Sequence, residues 1–190
     1  MSALPLHPKK AILFERRSPV QSIRRTAIPL AILVFLILAL TPLSSRAVNL
    51  MPGDRAPGFS LKDMEGNRVT LEQFLGKTVV LAFWSTWGSR CEEELSFLRD
   101  TLGKRGDVVV LLINQDSEHF VPVDQIRRVQ ERLKIEFPVL IDEGLTLWEM
   151  YGINALPTSV VVDGNGRVKL VEPNFFWGSP DNLLAAVEKG

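Results

Sequence analysis

This sequence is poor in the residue types that build most chemical sites. Its 190 residues include one Cys, Cys91. A single sulfur excludes an internal disulfide framework, a multi-Cys zinc site and a self-contained dithiol centre. The two His residues, His7 and His119, are far apart and argue against a His-based metal site. The formal net charge is zero, with 22 basic and 22 acidic side chains, which argues against a general nucleic-acid binder because that needs a basic surface. No Gly-rich phosphate loop, paired catalytic carboxylates or Ser/His/Asp order stands out. The sequence therefore implies neither a metal nor an organic cofactor.

The neutral total conceals two unlike parts. Residues 1–47 carry seven basic side chains and one acid, Glu15, a balance of +6, so the remaining 143 residues balance at −6. Residues 26–45, between Arg25 and Arg46, are 20 uncharged residues, and Leu30 to Leu40 is an unbroken apolar run. As a helix, such a stretch reaches about 30 Å, the thickness of a bilayer core. Six of the seven basic residues precede it, so the positive-inside rule puts residues 1–25 in the cytoplasm and sends the body across. The segment reads as a retained transmembrane anchor or as a cleaved secretory signal, for which Ser45-Arg46-Ala47 resembles a cleavage site. No Cys lies near the run to carry a lipid. Both readings place the body outside the cytoplasm, in the bacterial cell envelope: inner-membrane anchored and facing the periplasm, or secreted.

Residues 46–57 read as a linker, leaving a domain over 58–190. In it, Phe59-Ser60-Leu61 and Arg68-Val69-Thr70 flank a Gly/Asn turn and predict a hairpin. Thr70 is placed to cap a short helix that Gly76 ends. Thr78 to Trp84 is apolar without alternation, as in a buried central strand. A helix is expected from about Cys91 to Leu102, with Ser89 as N-cap in an S-x-x-E box with Glu92, and with Glu92, Glu93 and Glu94 in the first turn where the helix dipole favours acids. A second buried strand, Asp107–Asn114, an amphipathic helix, Val123–Leu133, and a short extended segment, Phe137–Ile141, follow. A short helix then runs to Tyr151, and a hairpin turns at Asp163-Gly164-Asn165-Gly166. The last helix starts at Ser179-Pro180. Strands alternating with helices give an α/β sheet.

This order resembles the thioredoxin fold, and over residues 52–189 it is most similar to the membrane-anchored bacterial thiol–disulfide oxidoreductases of the TlpA/ResA type. Three motifs carry the likeness: Val80 to Trp87 (VLAFWSTW); Phe137 to Asp142 followed by Tyr151-Gly152; and Leu156-Pro157-Thr158 followed by Val161 to Gly166. The resemblance implies a three-layer α/β sandwich with a central mixed sheet and helices on both faces. It also implies an N-terminal hairpin and a cis Pro157 facing the active-site Cys pair. The family pattern W-C-x-x-C reads here Trp87-Gly88-Ser89-Arg90-Cys91. Gly88 stands in the place of the first, nucleophilic Cys. Dithiol exchange needs one sulfur to attack and another to resolve the mixed disulfide, so the chain alone cannot complete that cycle.

Three readings of Cys91 follow: a structural remnant, a reactive monothiol that forms a mixed disulfide with a protein or small thiol, or a peroxide-reacting Cys. The peroxiredoxin pattern P-x-x-x-T-x-x-C is not met, because Trp84 and Gly88 occupy its Pro and Thr positions. Trp84 and Trp87 are expected to pack the sheet end and its rim. With Leu156, Pro157 and Thr158, they outline a groove for an extended partner segment, a mode of binding that needs no sulfur chemistry. Asp116 and His119 read as solvated loop residues rather than as an acid–base pair. The functional expectations are an extracytoplasmic, membrane-tethered thioredoxin-like protein limited to monothiol chemistry, a redox-inactive binding module for envelope protein assembly, and, last, a thiol peroxidase. Its partners would be a thiol- or disulfide-bearing protein or small thiol, and the membrane.

Overall fold

The computed structural model describes residues 50–116 and 121–188. The expected membrane segment at 26–45, and His119, lie outside the described residues. Among the described residues no helix is long and apolar enough to cross a membrane.

Seven strands form one sheet in the order β2-β1-β5-β4-β3-β6-β7. The hairpin β1 (Ser60–Asp63) and β2 (Arg68–Thr70) lies at one edge, and β6 (Thr158–Val162) with β7 (Val168–Pro173) at the other. Between them β3 (Thr78–Trp84), β4 (Val108–Asn114) and β5 (Val139–Ile141) run parallel. Both edge hairpins join antiparallel: β1 to β5, and β6 to β3. The sheet is mixed, as expected. The helices are α1 (Cys91–Leu102), α2 (Val123–Arg132), α3 (Thr146–Met150) and α4 (Ser179–Glu188), with a 3-10 turn at Leu71–Phe74.

The missing alternation of Thr78–Trp84 has a direct cause: every residue of β3 is buried. Val80, Ala82 and Trp84 face a core formed with Leu95 and Leu98 of α1, Ile126 of α2 and Leu183 of α4. Val79, Leu81 and Phe83 face a second core with Phe59, Leu71, and Leu147 of α3. Three helices therefore cover one face. The other is covered by the short α3, the 3-10 turn and the chain entering the domain.

That entering chain corrects the expected linker boundary. From Leu50 onward it belongs to the domain: Leu50 and Ala56 are buried. Gly53 N–H donates to Val168 O (2.8 Å) and Ala56 N–H to Gly166 O (2.9 Å). Pro and Gly broke the periodicity here without freeing the chain, because β7 offered an edge to bond.

Local choices explain the remaining joints. Gly76 ends the 3-10 turn at φ +88°, in the left-handed region. Asp63 closes the first hairpin by accepting from the N–H groups of Glu65 (3.0 Å) and Asn67 (2.7 Å). Asp163 does the same in the last hairpin for Asn165 and Arg167 (both 2.9 Å). These are Asx turns, in which a short carboxylate substitutes for missing ladder partners.

Candidate functional site

The sheet delivers two chain segments to one end. β3 stops at Trp84, and residues 85–90 lead into α1. β6 starts at Thr158, opposite Phe83, so Leu156-Pro157 enters at the level of the residues that follow β3. The Leu156–Pro157 peptide bond is cis. Pro157 and Thr158 are buried, Leu156 is half-buried against both cores, and Thr158 Oγ1 donates to Ala155 O (2.8 Å).

A third segment ties the two together. After β7, Asn174 N–H donates to Pro157 O (2.6 Å), and Arg90 Nη1 donates to Phe175 O (3.1 Å). The Arg90 guanidinium also lies 5.8 Å from the centre of the Phe176 ring. Phe175 is buried and packs on Phe97 of α1, their ring centres 5.5 Å apart.

Cys91 begins α1 and is 0% exposed. Its N–H donates to Gly88 O (3.1 Å). Burial pushes its thiol up to about 11; Ser85 beside it pulls the other way, and the charges of Glu94 and Asp116 push it higher. The sulfur fills the space above Gly88: a Cβ on Gly88 would overlap Cys91 Sγ and come within 3.2 Å of Ser85 Oγ. Cys91 is the sole Cys of the sequence, its sulfur is enclosed, and burial favours the protonated thiol.

The expected capping box is corrected. Arg90, not Ser89, is the N-cap, and it makes no side-chain cap bond; Ser89 is exposed. Glu92 does not reach back, because Arg132 of α2 takes both its carboxylate oxygens at 2.6 and 2.8 Å. The Trp pair divides: Trp84 is buried in the helix-side core, while Trp87 is 71% exposed and does not pack the rim as expected.

Two acids lie deeper in the site than the sequence implies. Glu94 is fully buried one turn after Cys91, and burial raises its carboxyl to about 8, with Ser159 opposing and the charge of Glu172 adding to the shift. The signal was present: Cys91, Glu94, Leu95, Leu98 and Leu102 form one helical stripe, and only dipole logic set Glu94 apart from it. Asp116 is not solvated. It is buried, and its Oδ2 accepts from Thr86 N–H and Asn114 Nδ2, both at 2.9 Å, which pins the start of the 85–90 loop. Among the described residues no group of three or more His, Cys, Asp or Glu is placed to hold a metal.

A parallel three-strand centre, antiparallel edge hairpins, a helix starting at a Cys and a cis-Pro loop at the same sheet end define a thioredoxin-like α/β protein. Residues 52–171 match the AhpC/TSA family model, and the chain belongs to the AhpC/TSA family. Among curated relatives, the thiol-disulfide oxidoreductase ResA of Bacillus thuringiensis subsp. konkukian is 34% identical over 116 residues, 61% of this chain and 66% of that one. ResA of Geobacillus thermodenitrificans is 33% identical over 121 residues, 63% and 67% of the two chains. The match thus spans about two thirds of these relatives' length. Of solved structures, a thiol:disulfide interchange protein DsbE of Chlorobium tepidum superposes with a TM-score of 0.67 at 26% identity, covering 74% of this chain and 97% of that one. The exposed lipoprotein thioredoxin of Streptococcus pneumoniae gives a TM-score of 0.60 at 27% identity, covering 70% and 100%.

Proposed function

We propose that this protein is a thioredoxin-fold binding module of the bacterial cell envelope, descended from thiol–disulfide oxidoreductases and limited to one-thiol chemistry at Cys91 at most. It would be tethered through residues 26–45, with its domain on the extracytoplasmic side, and would hold extended segments of thiol- or disulfide-bearing proteins beside Leu156-Pro157. Gly88 stands where the resemblance puts the attacking sulfur. A dithiol enzyme attacks a client disulfide with one thiolate, and its second sulfur then displaces the reduced client. Here the second step has no second sulfur, and the first has little thiolate: a thiol near 11 is ionised in about one molecule in ten thousand at pH 7.

The observation that carries the reading is the position of Cys91 Sγ over Gly88. On this reading the sulfur fills the place of the side chain it would have paired with. The same enclosure disfavours a peroxide-reacting Cys, which must present a thiolate to solvent.

Glutathione disulfide at neutral pH tests the proposal on the full chain, with intact mass as the readout. No adduct should form on Cys91 until denaturant opens the domain. Rapid glutathionylation of the folded protein would overturn the binding-module reading in favour of monothiol catalysis.

A further inference from the structure

The loop after β7 holds two aromatic side chains in water at the rim of the site. Phe176 is 52% exposed and Trp177 is 100% exposed. Isolated exposed aromatics are ordinary, but this loop is held in a costly shape. Asn174 (φ +67°) and Phe175 (φ +37°) are both non-Gly residues in left-handed conformations, which persist only where surrounding contacts impose them. Four hydrogen bonds and one buried ring impose them here. Asn174 N–H bonds Pro157 O and Arg90 bonds Phe175 O. Phe176 N–H donates to Ser179 Oγ (2.6 Å), and that hydroxyl donates to buried Glu172 Oε1 (2.7 Å). Phe175 is the buried anchor. The strain therefore buys a rigid ridge with Phe176 and Trp177 on its crest.

Two more features describe what such a ridge would grip. Arg90, stacked near Phe176, belongs to none of the ion pairs among the described residues. As N-cap residue of α1 it adds its charge to the positive end of the helix. On the other segment that the ridge joins, Leu156 N–H and C=O have no backbone hydrogen-bond partner among the described residues. Unpaired backbone groups suit an extended chain, a guanidinium without an ion-pair partner suits a carboxylate, and exposed aromatics on a fixed backbone suit an apolar neighbour.

From this arrangement we infer that the 174–177 ridge and Arg90 form a docking surface for an extended polypeptide segment that carries an acidic side chain next to an apolar one. The inference rests on the binding-module reading and names its partner class. It needs no covalent step.

The test uses the full chain in nanodiscs and two synthetic libraries of N-acetylated nonapeptide amides. Both vary apolar residues around a fixed centre, Glu in one and Gln in the other. The Glu library should be retained preferentially. Arg90→Gln should erase that preference, about a tenfold change, and Trp177→Ser should weaken the selected peptides about tenfold. Trp177 is fully exposed, so Trp177→Ser should melt as the unaltered chain does; Arg90→Gln also gives up the bond to Phe175 O, so unchanged retention of the Gln library by that variant checks that the ridge keeps its shape. Peptides retained but indifferent to both substitutions would overturn the ridge while leaving the binding module standing. No retained peptide, no preference for Glu, or quenching by brominated lipid that is lost in Trp177→Phe would also overturn it, the last by assigning the crest to the bilayer. A glutathione adduct on folded Cys91 would overturn the binding-module reading whatever the peptides do.

Discussion

The two ends of the sheet obey opposite rules. At the far end, the Asp63 and Asp163 turns put carboxylates in water, and each accepts two backbone N–H groups. At the site end, three acids are inside and three aromatics are outside, although Trp84 and Phe175 are buried there as well. Glu94, Asp116 and Glu172 are buried, while Trp87, Phe176 and Trp177 face solvent. Ordinary folding physics puts polar groups out and large apolar groups in. The far end is what that physics yields unassisted. The site end is held against it by the rest of the domain, so its energetics should respond to pH and to substitution quite differently.

The largest expected effect comes from placing a second sulfur at position 88. In Gly88→Cys the new Cβ displaces Cys91 Sγ from the space above residue 88, and the two sulfurs should pair on oxidation. The variant should show a reducible bridge by mass and exceed the unaltered chain in insulin-type disulfide reduction. A folded variant with no bridge would mean that position 88 does not carry the role the motif assigns it.

Next comes the buried acid. Glu94 sits near 8 in the folded chain against 4.5 ordinarily, so it is protonated more readily folded than unfolded. Its stabilising contribution is complete below about 4.5 and is lost as pH rises through 8. Glu94→Gln should flatten the stability–pH curve across that window and be more stable than the unaltered chain at pH 8, by a few kcal/mol in denaturant titrations. At the far end Asp63 has the opposite sign. Hydrogen bonding from Asn67 holds its carboxyl below the ordinary value, so its contribution is lost only in acid. Equal pH slopes in Glu94→Gln and the unaltered chain would remove the contrast between the two ends.

Phe175→Ala tests the anchor of the ridge. It empties a buried site against Phe97 and should cost about 3 kcal/mol by thermal melting. Asp163→Ala, which removes one Asx turn, should cost about 1 kcal/mol. Trp177→Ser should leave the melting temperature unchanged within error, since a fully exposed side chain gives up no burial. A large loss there would mean that the ridge supports the fold.

The sequence made the two ends unequally legible. The far end follows local rules: Gly66 and Gly166 turn at positive φ, each with an Asp three residues earlier, and both hairpins were readable from the turn motif. β3 was readable as a doubly buried strand, and Pro157 followed from the resemblance. The site end depends on contacts between distant segments. Ser89 looked like a cap until Arg132, 40 residues away from Glu92, competed for the box partner. Asp116 looked like a loop residue until Thr86 N–H met it. The ridge gave no local signal, because its shape comes from Arg90, Pro157 and Glu172 together.

The claim that everything at the site end turns on is that the one sulfur is sheltered and protonated. Titrating Cys91 on the folded full chain with a thiol-specific reagent across pH tests it directly. A sheltered thiol should label negligibly at neutral pH and titrate with an apparent pKa near 11. Fast labelling with an apparent pKa below that of a free thiol, about 8.5, would contradict it.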